Sequence, residues 1–252
     1  MTSNQQVFGT VEFGAWAHRT ALIPAERFLV ERYLEPSGRT LEAGTGSGRL
    51  LFALQALGFS SLAGFDFVPE LLAEARKRDG ADRIRFDEQN AASLSYGDGA
   101  FDQLIYLQQV LCFIEYEGAR RSAVREAYRV LRAGGTAVFS LLSFEARSGG
   151  ALYRAYLAYL RVVRSVRRSS RPQQSLPWLR LGGRFNPGAL LDARPYVYWY
   201  RLDEICRLLT EVGFMIDALG STRQILEARM VPSPEALARE PIEGMLYIVA
   251  RK

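Results

Sequence analysis

The chain has 252 residues, a formal net charge of +5, and is 48% hydrophobic and 23% charged. This composition supports a sizeable core and excludes global disorder. Two cysteines exclude a disulfide framework, and with a single histidine no metal site is expected. No run approaches the roughly 18 consecutive apolar residues of a membrane span. The polar Met1–Gln6 segment lacks the order of a signal peptide, so a cytoplasmic protein is expected.

The charge is uneven. Arg supplies 30 of the 32 basic residues, and Lys77 and Lys252 are the two lysines. Residues 147–184 contain nine Arg and no Asp, Glu or Lys, so this window carries +9 and the rest of the chain −4.

In chain order, residues 1–20 predict an arm or short helix containing Phe8, Phe13, Trp16 and His18. Helical spacing covers Ala25–Leu34 and stops at Pro36-Ser37-Gly38. Strands and helices then alternate: strand Arg39–Ala43, helix Arg49–Leu57, strand Ser61–Phe65, helix Pro69–Arg78, strand Ile84–Gln89, strand Phe101–Tyr106, helix Ala119–Leu131, a Gly134-Gly135 turn and strand Thr136–Leu142. The order breaks over 145–195, with a helix expected at 151–168 followed by a Gly/Pro-rich stretch. It resumes with helix Leu202–Val212, strand Phe214–Leu219 and strand Met245–Ala250. Alternation of this kind predicts a doubly wound α/β sheet. We read one domain over 1–252, with residues 1–24 as an N-terminal arm or lid and 145–195 as a helical insertion on the substrate side.

Between the first strand and its helix stands Leu41-Glu42-Ala43-Gly44-Thr45-Gly46-Ser47-Gly48-Arg49. Glycines let backbone approach a ligand, and the helix N-terminus offers unpaired N–H groups. A dinucleotide fingerprint needs a third glycine where Arg49 stands, and a P-loop needs a following Gly-Lys-Ser/Thr. What remains is Glu-x-Gly-x-Gly-x-Gly. Asp66 follows Gly44 by 22 residues at the end of the next strand.

This turn resembles the first motif of class I S-adenosylmethionine (SAM) methyltransferases. The resemblance continues in order through Gln89-Asn90-Ala91, Gly97-Asp98-Gly99-Ala100-Phe101-Asp102, Leu131-Arg132-Ala133-Gly134-Gly135-Thr136 and the late segment Tyr200–Phe214. It implies a mostly parallel seven-stranded sheet with the last strand antiparallel, an Arg-rich helical insertion after strand five, and SAM as cofactor with S-adenosylhomocysteine (SAH) as product. It also implies site roles. Gly44, Thr45, Gly46 and Gly48 form the wall beside the methionine half, and Glu42 orients that wall and reaches toward the ammonium. Asp66 holds the ribose, Phe67 lies on the adenine, Asn90 or Ala91 meets its amino group, and Gln108 lies near the methionine end.

Methyl transfer from a sulfonium needs alignment, and needs a base only if the nucleophile arrives protonated. The segments after strands four and five contain no histidine. His18 in the arm is the candidate base or orienter, and packing is its plainer role. Tyr106, Glu115 and Tyr116 are further polar candidates near the end of strand four. Trp16, Tyr106, Tyr153 and Arg154 are the candidate substrate contacts. The lone Cys112 and Cys206 read as packing residues.

On the 151–168 helix, Leu152, Tyr156, Tyr159, Leu160 and Val163 share one side, and Arg154, Arg161, Arg164 and Arg168 another. Four roles compete for this segment. It can be a solvated face, or a cap whose Arg grip an acidic substrate. It can also be a contact, through 151–171, for an acidic partner or a peripheral membrane surface, or a contact for nucleic-acid phosphate. Nucleic acid is disfavoured because no Asn-Pro-Pro-Tyr or Asp-Pro-Pro-Tyr signature is present. The expected activity is methyl transfer to O, N or C of a small, anionic or aromatic acceptor. The alternatives are an RNA or protein acceptor, or a non-catalytic SAM/SAH-binding protein. Oligomeric state is not encoded in any motif.

Overall fold

A computed structural model describes residues 4–12, 14, 21–80 and 82–252. The alternating pattern becomes Thr40–Ala43 (β1), Arg49–Ala56 (α3), Leu62–Asp66 (β2), Pro69–Asp79 (α4), Arg85–Glu88 (β3), Phe101–Tyr106 (β4), Glu117–Val130 (α6) and Leu131–Leu142 (β5). Asn4–Gly9 (α1) and Pro24–Tyr33 (α2) precede it, and the short helix Val110–Phe113 (α5) follows β4. After the insertion come Leu202–Val212 (α9), Met215–Ser221 (β10), the short helices Thr222–Leu226 (α10) and Pro234–Ala238 (α11), and Met245–Arg251 (β11).

These strands form one seven-stranded sheet in the order β10-β11-β5-β4-β1-β2-β3. The pairs β1/β2, β1/β4, β2/β3 and β4/β5 are parallel, while β11, the last strand, runs antiparallel to both β5 and β10. β1 and β2 are buried at every position, as strands covered on both faces must be. Alternation divides the central strands between two cores. Leu104, Tyr106, Ala137 and Phe139 face Ala123, Val124 and Ala127 of α6 and Ile205 and Leu209 of α9. Ile105 and Val138 face Leu29 of α2, Leu51 and Leu54 of α3 and Leu72 of α4. The chain winds outward from β1 to β3 and then returns to β4 on the other side of β1. That reversal opens a crevice at the C-terminal strand ends.

Most element boundaries lie within two residues of the sequence reading, and the start of β5 departs furthest. α6 starts at Glu117, ahead of Ala119. β5 starts at Leu131, because Leu131 already pairs with Phe101 before a register shift. The Gly134-Gly135 pair lies within that strand, with the Gly134 N–H on the Lys252 carbonyl and the Lys252 N–H on the Gly135 carbonyl.

The insertion leaves and returns through one neck. Ser143 bridges Tyr200, and the Phe144 N–H donates to the Tyr200 carbonyl at 2.8 Å. Inside it lie Phe144–Ser148 (α7), Ala151–Val166 (α8), the strand pair Ser175–Pro177 (β6) with Tyr196–Tyr198 (β9), and the small hairpin Arg180–Leu181 (β7) with Arg184–Phe185 (β8). α8 turns inward a face rotated from the apolar side its spacing suggested: Leu160 is buried and Tyr156 and Val163 half-buried, as on that side. Leu157, Leu160 and Arg164 are buried, whereas Leu152 and Tyr159 are exposed. Arg164 therefore leaves the basic side. Its guanidinium forms two bonds to the Asp192 carboxylate, at 2.9 and 2.7 Å, and others to the carbonyls of Pro172 and Ser175. No helix among the described residues is long and apolar enough to cross a membrane.

Candidate active site

Gly44, Gly46 and Gly48 all take the left-handed conformation, at φ +64°, +53° and +79°. At Gly44 a Cβ would also stand 2.7 Å from Val110 Cγ2, so the turn is closed to side chains for two reasons. Behind the turn, Glu42 is buried and accepts from Thr45 Oγ at 2.7 Å. Burial pushes its carboxyl up to about 8, against the opposing effects of Thr45 and Arg49. Asp66, at the end of β2, reaches back to the same turn. It accepts from the Gly46 N–H at 2.8 Å and the Val68 N–H at 3.0 Å. Burial pushes Asp66 up to about 6, although these backbone donors favour its ionised form.

The opposite wall is fixed by α2 and the end of β4. Arg49, standing where a dinucleotide fingerprint has glycine, forms a buried ion pair with Glu26 at 2.5 Å. Gln108 Nε2 donates to the same carboxylate at 2.8 Å. Gln108 and Gln109 both have positive φ, and their N–H groups lie 3.2 and 3.3 Å from Ser140 Oγ.

The crevice holds a cavity of about 550 Å³, and Gly44, Gly46, Asp66, Phe67, Asn90 and Ala91 line it together with Gln108. Glu42, Thr45 and Gly48 do not line it and support the turn from behind. Asn4 and Phe8 of α1 close the cavity from the arm. Glu115 lines it too, with Oε2 held by Arg194 at 2.9 Å and Oε1 buried without a partner among the described residues.

A second cavity of about 560 Å³ lies under the insertion. Phe8 and Phe113 line both cavities, so the two chambers share a wall. Tyr153 lines the second. Arg154 is exposed and donates to the Gly149 carbonyl, outside either lining. Tyr106 is 1% exposed in the core, packed against Phe65 and Phe139, because alternation along β4 turns it to the α6 side of the sheet. Trp16 and His18 lie outside the described residues. Cys112 and Cys206 are buried and free. The reading by motif missed Arg147, Trp178 and Trp199, which line the second chamber. The aromatic density of 153–200 was their only signal.

This topology, with a glycine turn after β1 and a carboxylate at the end of β2, is the class I SAM-dependent methyltransferase fold. The comparisons agree with it. Residues 41–139, from β1 into β5, match a family model described as a methyltransferase domain. A demethylmenaquinone methyltransferase of Thermus thermophilus is 36% identical over 129 residues, covering 50% of this chain and 56% of that protein. An arsenite methyltransferase of Aquipseudomonas alcaligenes is 35% identical over 114 residues, covering 40% of this chain and 32% of that protein. The chain thus spans about half, or less, of the length of the curated relatives it matches. Among solved structures, a SAM-dependent methyltransferase of Methanosarcina mazei superposes with a TM-score of 0.66 at 21% identity, covering 89% of this chain and 96% of that one. The [4+2]-cyclase SpnF superposes at 0.64 with 19% identity, covering 100% and 97%.

SAM is the cofactor of this fold class, and the residues fit it. The first chamber combines a bare backbone wall at Gly44 and Gly46, a carboxylate at Asp66 and apolar surface at Phe67 and Leu71. This is the donor set that a ribose, an adenine and an amino-acid chain require.

Proposed function

We propose that the protein is a SAM-dependent methyltransferase acting on a small-molecule acceptor. The observation that carries this reading is the pair of chambers meeting at Phe8 and Phe113. One has the polar groups for SAM, and the other is enclosed by the insertion on the side where this fold takes its acceptor.

In this reading the Asp66 carboxylate accepts from the ribose hydroxyls while keeping the Gly46 N–H. Phe67, Asn90 and Ala91 surround the adenine, and Gly44 and Gly46 let the methionine half lie against backbone. When bound, SAM supplies a methyl group activated by its sulfonium. The chain then has to align the acceptor, exclude water and, for a protonated nucleophile, take up a proton. Glu115, which lines the first chamber and pairs with Arg194, is the candidate to receive it.

A small acceptor is favoured over a polymer because much of the basic segment is already used. Arg164 is buried on Asp192, Arg167 donates to the Leu191 carbonyl, and Arg171 stacks on Tyr196. Calorimetry with SAH tests the core of the reading. Wild-type protein is expected to bind, and Asp66→Ala to weaken binding about tenfold or more. No heat with either SAM or SAH overturns the assignment. Because a cyclase shares the fold, release of SAH across an acceptor panel is the readout for transfer itself.

A further inference from the structure

The second chamber contains an arginine, Arg147, with no ion-pair partner among the described residues. The fully buried arginines Arg49, Arg120 and Arg164 each donate to oxygen: to Glu26, to the Ile114 and Glu115 carbonyls, and to Asp192, whereas Arg147 is half-buried. Arg147 forms no side-chain hydrogen bond or ion pair among the described residues, and its Nε is buried without a partner. Its guanidinium carbon lies 3.6 Å from the Tyr153 ring centroid and 4.5 Å from that of Trp199. Two rings thus lie against the guanidinium, and none of its N–H groups has an acceptor among the described residues. Burial lowers the Arg147 pKa from the ordinary arginine value, and no carboxylate opposes that effect. The indole N–H groups of Trp178 and Trp199, which line the same chamber, are also buried and unpartnered. Glu12 is the one carboxylate residue in the lining, and its Oε1 accepts from the Gly182 N–H at 2.6 Å.

Desolvating a guanidinium without a counter-charge is costly, and so is burying three N–H donors without acceptors. Apart from the exposed Arg180 at its rim, the rest of the lining, including Phe113, Leu142 and Val197, is apolar or glycine. From this arrangement we propose that the chamber binds acceptors consisting of a flat apolar or aromatic body and a carboxylate, with Arg147 as the residue that holds the carboxylate. A planar fork matches a carboxylate in two parallel bonds. The aromatic walls match the body. α7, which carries Arg147, begins two residues after β5, at the sheet edge where the crevice opens. The proposal rests on the methyltransferase reading only in calling this ligand the acceptor.

The test titrates the protein, with and without saturating SAH, with phenylacetate and indole-3-acetate and with their uncharged amides. Heat and tryptophan fluorescence are followed. Wild type is expected to prefer each acid over its amide by about tenfold or more. Arg147→Met is expected to abolish that preference while leaving amide and SAH affinities unchanged, which shows an intact fold. Arg147→Lys keeps the charge without the fork and is expected to retain part of the preference. Equal affinity for acid and amide, a preference surviving in Arg147→Met, or no binding of any acid by wild type overturns the proposal. So does a preference lost in Arg180→Gln instead, since Arg180 is an exposed residue in the same lining. Failure to bind SAH, with the acid preference intact, overturns the methyltransferase reading and leaves this one standing.

Discussion

At the scale of single residues, Glu42 illustrates how far a motif can be read. The spacing places an acid before the first glycine, and the resemblance assigns it to the methionine ammonium. In the fold it sits behind the turn and accepts from the Thr45 hydroxyl, outside the lining of the cavity. Its carboxyl, raised from 4.5 to about 8 by burial, binds a proton more tightly in the folded protein than in the unfolded chain. The stabilisation this gives is fully present below about pH 4.5 and is lost as pH rises toward 8. Glu42→Gln keeps an acceptor for Thr45 and removes the titration. In thermal melts without ligand, its Tm advantage over wild type is therefore expected to widen from pH 5 to pH 8. At roughly 2–4 °C per kcal/mol for a chain of this size, the widening amounts to several degrees. A difference constant with pH would show that Glu42 is ionised throughout.

At the scale of elements, α8 shows why periodicity alone misassigned one arginine. An arginine on a helix is ordinarily solvated, so Arg164 was grouped with Arg154, Arg161 and Arg168. Its partner Asp192 is 28 residues away, beyond any window that helical spacing covers. The pair is buried on both sides, at 7% and 5% side-chain exposure, and ties α8 to the loop before β9. Arg164→Ala strands the Asp192 charge and is expected to cost about 3–5 kcal/mol. Arg168→Ala, at an exposed position, is expected to stay within about 0.5 kcal/mol. Urea melts compare the two, and hydrogen exchange should show the loss spreading through residues 170–195. Equal stability of the two variants would mean that the Arg164–Asp192 pair contributes nothing to holding the cap.

At the scale of the molecule, the N-terminal arm joins the two halves of the site. Asn4 Nδ2 donates to the Phe113 carbonyl at 2.7 Å and the Tyr196 carbonyl at 3.1 Å, linking the end of β4 to the cap. Gln5 donates to the Phe67 carbonyl, and Glu12 accepts from Gly182. These contacts lie along one side of the first chamber, next to its Asn4 and Phe8 lining. Asn4→Ala removes the donor from two carbonyls at about 1–3 kcal/mol. We expect SAH to dissociate severalfold faster from this variant in stopped-flow measurements. An unchanged off-rate would mean that the arm does not gate the chamber.

The sequence by itself determined the succession of strands and helices along the chain, the glycine turn and the carboxylate at the end of β2. These depend on local rules: period-two burial, positive φ at glycine, and an acid at a strand end. It could not determine which side chains meet across the insertion. The tertiary structure alone turned Arg164 inward, took Tyr106 into the core, and set Arg147 between Tyr153 and Trp199. Those outcomes depend on contacts between residues distant in the chain, which no local pattern encodes. The same division applies to the +9 window. Its charge is visible in composition, but packing decided that Arg164 is neutralised within the fold and that Arg147 and Arg180 line a chamber with no ion-pair partner among the described residues.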